Sequence, residues 1–76
     1  MRVSEITFVD TCYSVKTYLA LDSYELHAYE DGDYADFKVK KIYDPKTLLR
    51  LIGEHDYMIL AGDGCLILRV FENFVG

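Results

Sequence analysis

The side chains with the greatest chemical potential in this chain are the carboxylates between residues 22 and 36. The segment holds six acidic residues and no Lys or Arg: Asp22, Glu25, Glu30, Asp31, Asp33 and Asp36. Carboxylate oxygens bind hard cations such as Ca²⁺, and Asp31-Gly32-Asp33 begins like a calcium loop. The later ligands of that loop, including its terminal bidentate Glu, are absent. The spacing therefore favours a solvated turn and predicts no metal site.

Thiols, imidazoles and hydroxyls are the other groups that could ligate zinc or act in catalysis. Cys12, Cys65, His27 and His55 lack the paired spacing of a zinc site, and no serine lies in a Gly-x-Ser-x-Gly elbow. His27 could form an acid–base pair with Asp36, but such a cross-strand pair is more typical of surface electrostatics. We therefore predict a protein that is not an enzyme, with no catalytic residue and no cofactor.

These carboxylates are positioned by a hairpin whose predicted turn is Asp31-Gly32, the preferred pair for a two-residue type I′ turn. One face of the predicted ribbon is apolar and pairs Tyr24 with Val39, Leu26 with Phe37, and Ala28 with Ala35. The opposite face is aromatic and charged, and it pairs Glu25 with Lys38, His27 with Asp36, and Tyr29 with Tyr34. The first face is typical of a core surface and the second of an exposed one.

The remaining elements supply the sheet that the hairpin joins. Strand composition and period-two alternation predict strands at residues 3–9 and 15–21, although Cys12, Val15 and Leu19 also fit one stripe of a helix. Asp44 and Pro45 predict the cap and first position of a short helix that ends before Gly53. Its expected buried side consists of Leu48, Leu49, Leu51 and Ile52.

The last two predicted strands, Tyr57 to Ala61 and Cys65 to Phe71, flank Gly62-Asp63-Gly64. This glycine turn lacks the Lys and the following helix of a phosphate-binding loop, and a hairpin turn explains it. Both strands are almost continuously apolar, which favours central positions beneath the helix. The predicted fold is α+β in a single domain over residues 1–76. Its antiparallel-rich sheet of about five to six strands carries one short helix on one face, in the order ββββαββ.

Charge and composition narrow the class of partner. The chain has 76 residues and a net charge of −5, so electrostatics disfavour direct binding to nucleic acid and favour a basic protein surface. Neither a signal peptide nor a membrane span is predicted, and the two distant cysteines are expected to be reduced. We expect a cytoplasmic protein that does not bind membranes and is a monomer or a small homodimer.

Tyrosines set among acids are typical of a protein-binding face, because Tyr offers a large contact area at low entropy cost. The predicted partner-binding residues are Asp22, Glu25, Tyr29, Glu30, Asp31, Asp33, Tyr34 and Asp36. Carboxylates along a ribbon could occupy a larger protein's basic, nucleic-acid-binding surface. In overall profile the chain resembles small acidic phage-encoded inhibitors of bacterial defence, such as anti-CRISPR and anti-restriction proteins, and this resemblance implies no site residues. The alternatives are an oligomerisation subunit that assembles through a sheet edge and, third, a small enzyme or metal-binding domain.

Overall fold

The chain folds as two layers, a four-stranded antiparallel sheet and two helices. A computed structural model describes residues 3–29 and 32–72. Its elements are α1 (Val3–Tyr18), β1 (Glu25–Tyr29), β2 (Gly32–Val39), α2 (Pro45–Ile52), β3 (Tyr57–Gly62) and β4 (Cys65–Phe71). The strands lie in the order β1-β2-β4-β3. The α+β class is confirmed, whereas the predicted strand number and the order ββββαββ are wrong.

Both helices pack on the same side of the sheet, here called the inner face. The core combines alternate residues of the two central strands with buried residues of each helix. Its members are Phe8, Cys12 and Val15 of α1, Leu48 and Ile52 of α2, Ala35, Phe37 and Val39 of β2, and Leu68 and Val70 of β4. The other side of the sheet, the open face, is not covered by any element of the described chain.

Helix α1 replaces the first two predicted strands. Phe8, Cys12 and Val15 are spaced as one helix stripe and are almost fully buried, so the helical alternative for the second segment is the right one. The pattern misleads because the opposite side of α1 is also apolar and rich in β-branched residues, with Ile6 and Val9 exposed. Burial of one stripe against the sheet outweighs the strand propensity of these residues.

The end of α1 is closed by a residue with a left-handed backbone. Ala20 has φ of 54°, the amide of Leu21 donates to the carbonyl of Lys16, and that of Ala20 donates to Thr17. This arrangement is a Schellman motif, which usually has glycine at the left-handed position. It turns the chain from the helix layer toward β1.

The first hairpin keeps its predicted faces, but all six predicted cross-strand pairs are wrong. The observed partners are Glu25 with Asp36, Leu26 with Ala35, His27 with Tyr34, Ala28 with Asp33, and Tyr29 with Gly32. Gly32 belongs to β2 rather than to the turn, and Glu30 and Asp31 lie outside the described residues. Moving the turn by one residue changes each partner by two, which preserves the alternation of faces.

The second half of the chain follows its local signals closely. Helix α2 is confirmed, with the Asp44 carboxylate accepting from the Thr47 amide at 3.3 Å. The hairpin around Asp63 and Gly64 is also confirmed, with Gly64 at φ of +69°. Two details are wrong. Leu49 is 42% exposed rather than packed on the sheet, and β3 is an edge strand rather than a central one.

The two cysteines are free thiols that lie on opposite sides of the sheet. Cys12 is buried in the core, and Cys65 is half-buried at the start of β4. Among the described residues, no helix has the length and apolar character needed to cross a membrane.

Candidate functional site

The open face has a cluster of polar and aromatic side chains at its centre, contributed by three neighbouring strands. We call it the open-face cluster, and it consists of His27 of β1, Tyr34 and Asp36 of β2, and Arg69 of β4. The strand register places Asp36 directly opposite Arg69 and His27 directly opposite Tyr34. Side chains at such positions point to the same side of a sheet, so the four are brought together by the strand order.

A bidentate ion pair between Arg69 and Asp36 organises this cluster. Arg69 donates from Nε to Oδ1 of Asp36 at 2.8 Å and from a terminal nitrogen to Oδ2 at 3.1 Å. The Asp36 side chain is only 16% exposed. Sequence reasoning missed Arg69 because it lies 33 residues from Asp36 and outside the acidic segment. The pairing of Arg69 with Asp36 can be recognised only when β2 and β4 are known to be neighbours.

The Tyr34 ring is held between charged and aromatic neighbours. The His27 ring stacks on it at 4.7 Å, the Arg69 guanidinium lies 4.4 Å from its centroid, and the Phe71 ring lies 5.9 Å away. His27 Nε2 is shielded from solvent and lies 3.5 Å from carboxylate oxygens of both Glu25 and Asp36. These contacts restrict the orientation of the Tyr34 ring.

The predicted binding residues that the structure describes differ in their surroundings. Asp22 and Glu25 are exposed as expected, with the Glu25 side chain 81% exposed. Asp36 is neutralised by Arg69, and the register places Asp33 on the inner-face side, opposite Ala28. The prediction that Asp33 and Asp36 are freely exposed is therefore wrong. Glu30, Asp31 and the side chain of Tyr29 lie outside the described residues.

A second polar group, which sequence reasoning also missed, lies where β4 ends beside α1. His55 Nδ1 is 2.9 Å from the carbonyl oxygen of Glu72, and its Nε2 is 3.5 Å from the Thr11 hydroxyl. The His55 ring packs against Phe8, and the Glu72 carboxylate accepts from the Asp33 amide at 3.4 Å. The group thus connects α1, the segment before β3, β2 and the residue that follows β4.

Two of the clefts lined by described residues are small. The cleft beside Glu25 and Asp36 has a volume of about 290 Å³ and that beside His55 about 310 Å³, at the lower limit for ligand pockets. Within the described ranges, no three carboxylate, imidazole or thiol side chains come together in a way that could hold a metal ion.

Loss of Arg69 should destabilise the fold, because it leaves a poorly solvated carboxylate without its two donors. We expect Arg69→Met to lower the free energy of unfolding by about 1–3 kcal/mol in urea denaturation. The double variant Arg69→Met/Asp36→Leu should recover most of this loss, since it removes both charges. Additive effects of the two substitutions would contradict this account of the pair.

Together the fold and the cluster define a two-layer α+β domain in which no described element covers the open face of the sheet. No family model, curated protein or solved structure matches the chain.

Proposed function

We propose that this chain is a small, non-enzymatic protein-binding module that presents its open face and the adjoining acids to a basic surface of a larger protein. The observation that carries the proposal is the open-face cluster. An aromatic ring braced by Arg69 and His27 lies on a face that no described element covers. Side chains that are already ordered lose little entropy on association, which favours their use as anchors.

The acidic contribution comes from Asp22 and Glu25 rather than from Asp36. Both are exposed: Glu25 lies on the open face at the β1 edge, and Asp22 precedes it by three residues, so that both can act at long range on a basic partner. Spatially separated carboxylates can take the place of nucleic-acid phosphates. We therefore propose a partner whose basic surface binds nucleic acid, while this chain itself binds neither nucleic acid nor membrane.

The class that combines these properties is the phage-encoded inhibitor of bacterial defence, of the anti-CRISPR or anti-restriction type. Such a protein would act in the host cytoplasm as a monomer or small homodimer. Small size, net charge of −5 and the pre-ordered open face support this proposal.

The test is displacement of fluorescent DNA from a panel of purified CRISPR effector and restriction nucleases. We expect the wild-type chain to displace DNA from a member of the panel. Asp22→Lys/Glu25→Lys should slow association with that member by about tenfold or more and weaken its salt dependence, because exposed charges act mainly on the on-rate. Tyr34→Ala should instead speed dissociation, as loss of an anchor does.

The matched control is Asp10→Lys/Glu54→Lys, which makes the same change in net charge at exposed positions on the helix side. The control should associate nearly as fast as wild type. Equal slowing by both double variants would show that net charge alone matters and would reject the proposed surface. Failure to displace DNA from any nuclease in the panel would reject the proposed partner class.

A further inference from the structure

Strand β3, which forms one edge of the sheet, differs in charge from the other three strands. Strand β3 contains no charged residue, whereas β1, β2 and β4 each contain at least one. Three consecutive apolar side chains of β3 are substantially exposed, with Tyr57 at 44%, Met58 at 46% and Ile59 at 51%. Soluble proteins usually protect edge strands with charge, proline or a bulge, and β3 has no charge or proline.

Hydrogen-bonding groups of β3 are directed toward this edge. The Phe71 amide donates to the carbonyl of Asp56, the residue immediately before β3, at 2.8 Å. In an antiparallel pair alternate residues bond to the same neighbour, so Met58 and Leu60 bond toward β4. The amides and carbonyls of Tyr57, Ile59 and Ala61 are therefore directed outward.

An apolar cleft lies along the inner side of the same edge. Tyr57 and Ile59 line it together with Leu48, Leu49 and Ile52 of α2, and its volume is about 180 Å³. Leu49 is exposed here, although it belongs to the predicted buried side of α2. Backbone groups, apolar side chains and an apolar cleft thus coincide at one edge.

We propose that β3 pairs antiparallel with β3 of a second copy of this chain, about a two-fold axis at Ile59. In this register Tyr57 lies opposite Ala61 of the partner subunit, and Met58 lies opposite Leu60 of the partner subunit. All the outward amides and carbonyls of Tyr57, Ile59 and Ala61 are then satisfied. Odd-numbered residues of one β3 strand lie opposite odd-numbered residues of the other, so the inner faces of the two sheets are continuous. The helices of both copies therefore lie on one side of an eight-stranded sheet.

Charge favours pairing of a second copy at the β3 edge over pairing at the other edge of the sheet, which β1 forms. Two copies of a protein with a net charge of −5 repel each other. Pairing at the β1 edge would add to that repulsion, because β1 and β2 form a hairpin that contains most of the acidic segment 22–36, here called the acidic hairpin. Pairing through β3 brings two uncharged strands together, leaves the flanking Asp56 and Asp63 at the ends of the paired segment, and places the two acidic hairpins at the far ends of the dimer. Large side chains also meet small ones, since Tyr57 lies beside the partner's Ala61.

The accessible area indicates a weak dimer. Four half-exposed apolar side chains, Leu49, Tyr57, Met58 and Ile59, offer on the order of 400 Å² per copy, below the roughly 800 Å² of a standard interface. We therefore expect a dimer that dissociates in the micromolar range or above. The interface lies at the opposite edge from the acids proposed to bind a partner, and it does not depend on that function.

Sedimentation velocity of the full chain over a concentration series tests the proposal. The wild type should shift from monomer to dimer as concentration rises. Ile59→Lys, on the inner side of the edge, and Met58→Lys, on the open side, should each raise the dimer dissociation constant about tenfold or more. Circular dichroism checks that both variants fold.

The matched control is Leu26→Lys, which adds the same charge at the β1 edge, where Leu26 is 56% exposed. Leu26→Lys should dimerise like the wild type. Hydrogen exchange of the Tyr57, Ile59 and Ala61 amides should slow as the protein concentration rises, which would support β3 as the strand that pairs in the dimer. A wild type that stays monomeric at millimolar concentration, as expected if β3 receives a strand of another protein, would overturn the proposal. Dimerisation lost in Leu26→Lys but kept in Ile59→Lys would also overturn it.

Discussion

Phe37→Ala is expected to lower the free energy of unfolding by about 3–5 kcal/mol, because it leaves a cavity at the centre of the core. Phe37 is fully buried on β2, and the Tyr24 ring packs against it with a centroid separation of 5.1 Å. A domain of this size has a total stability of roughly 4–11 kcal/mol. The variant should therefore lose a large share of that stability, as measured by urea denaturation monitored by circular dichroism.

The control for Phe37→Ala is Leu26→Ala on the adjacent strand. Leu26 shares the inner face by register but is 56% exposed. This substitution should change stability by no more than about 0.5 kcal/mol. Equal losses in the two variants would mean that burial at the centre of β2 does not dominate the stability of the fold.

The second large effect concerns alkaline pH. Burial raises the pKa of the Cys12 thiol from 9.0 to about 12. The pKa of Tyr24 is raised as well, mainly by burial and secondarily by the charge of the nearby Cys12 thiolate. In the unfolded chain the thiol ionises near pH 9, whereas in the folded chain it keeps its proton up to about pH 12. The contribution of the protonated Cys12 thiol to the stability of the fold is therefore complete below pH 9 and is lost as the pH rises toward 12. For this thiol the loss is about 1.4 kcal/mol per pH unit.

Urea denaturation at several pH values from 7 to 11, on wild type and Cys12→Ala, measures this dependence. Cys12→Ala should be less stable at pH 7 because of the cavity, but its stability should fall less steeply above pH 9. Tyr24, whose pKa is raised by its own burial, contributes to the slope that remains. Parallel curves for the two proteins would contradict the assignment to Cys12.

Thiol alkylation provides an independent check of the same residue. At pH 8 the half-buried Cys65 should react while Cys12 reacts only when the chain opens, because the thiolate is the reactive form. Mass spectrometry of the alkylated chain distinguishes the two sites. Rapid modification of both thiols in folded protein would show that Cys12 is accessible.

Local signals were sufficient where a few adjacent residues determine the backbone. Asp44 and Pro45 specify the start of α2, and Gly64 permits the positive φ that the second hairpin requires. The alternation of β2 likewise predicted which of its side chains face the core, with Ala35, Phe37 and Val39 buried. In each case neighbouring residues determine the conformation, so sequence alone was enough.

The first 21 residues show the opposite situation. Their β-branched and aromatic residues favour a strand locally, and apolar side chains on both sides obscure the helical stripe. Packing of Phe8, Cys12 and Val15 into the core, beside the sheet and α2, stabilises α1 over the alternative. The exposed edge position of β3 could not be predicted either, because an apolar composition predicts a central strand when the strand order is unknown.

The sequence by itself determined the α+β class, the second helix, the second hairpin, the faces of the first hairpin and the acidity of one segment. Tertiary structure alone decided the first helix, the exact pairing of the first hairpin and the strand order. Through that strand order it also decided that Arg69 neutralises Asp36 and that β3 is left at an edge. The physical reason is range: turns, caps and alternation depend on adjacent residues, whereas ion pairs and edges depend on which distant strands become neighbours.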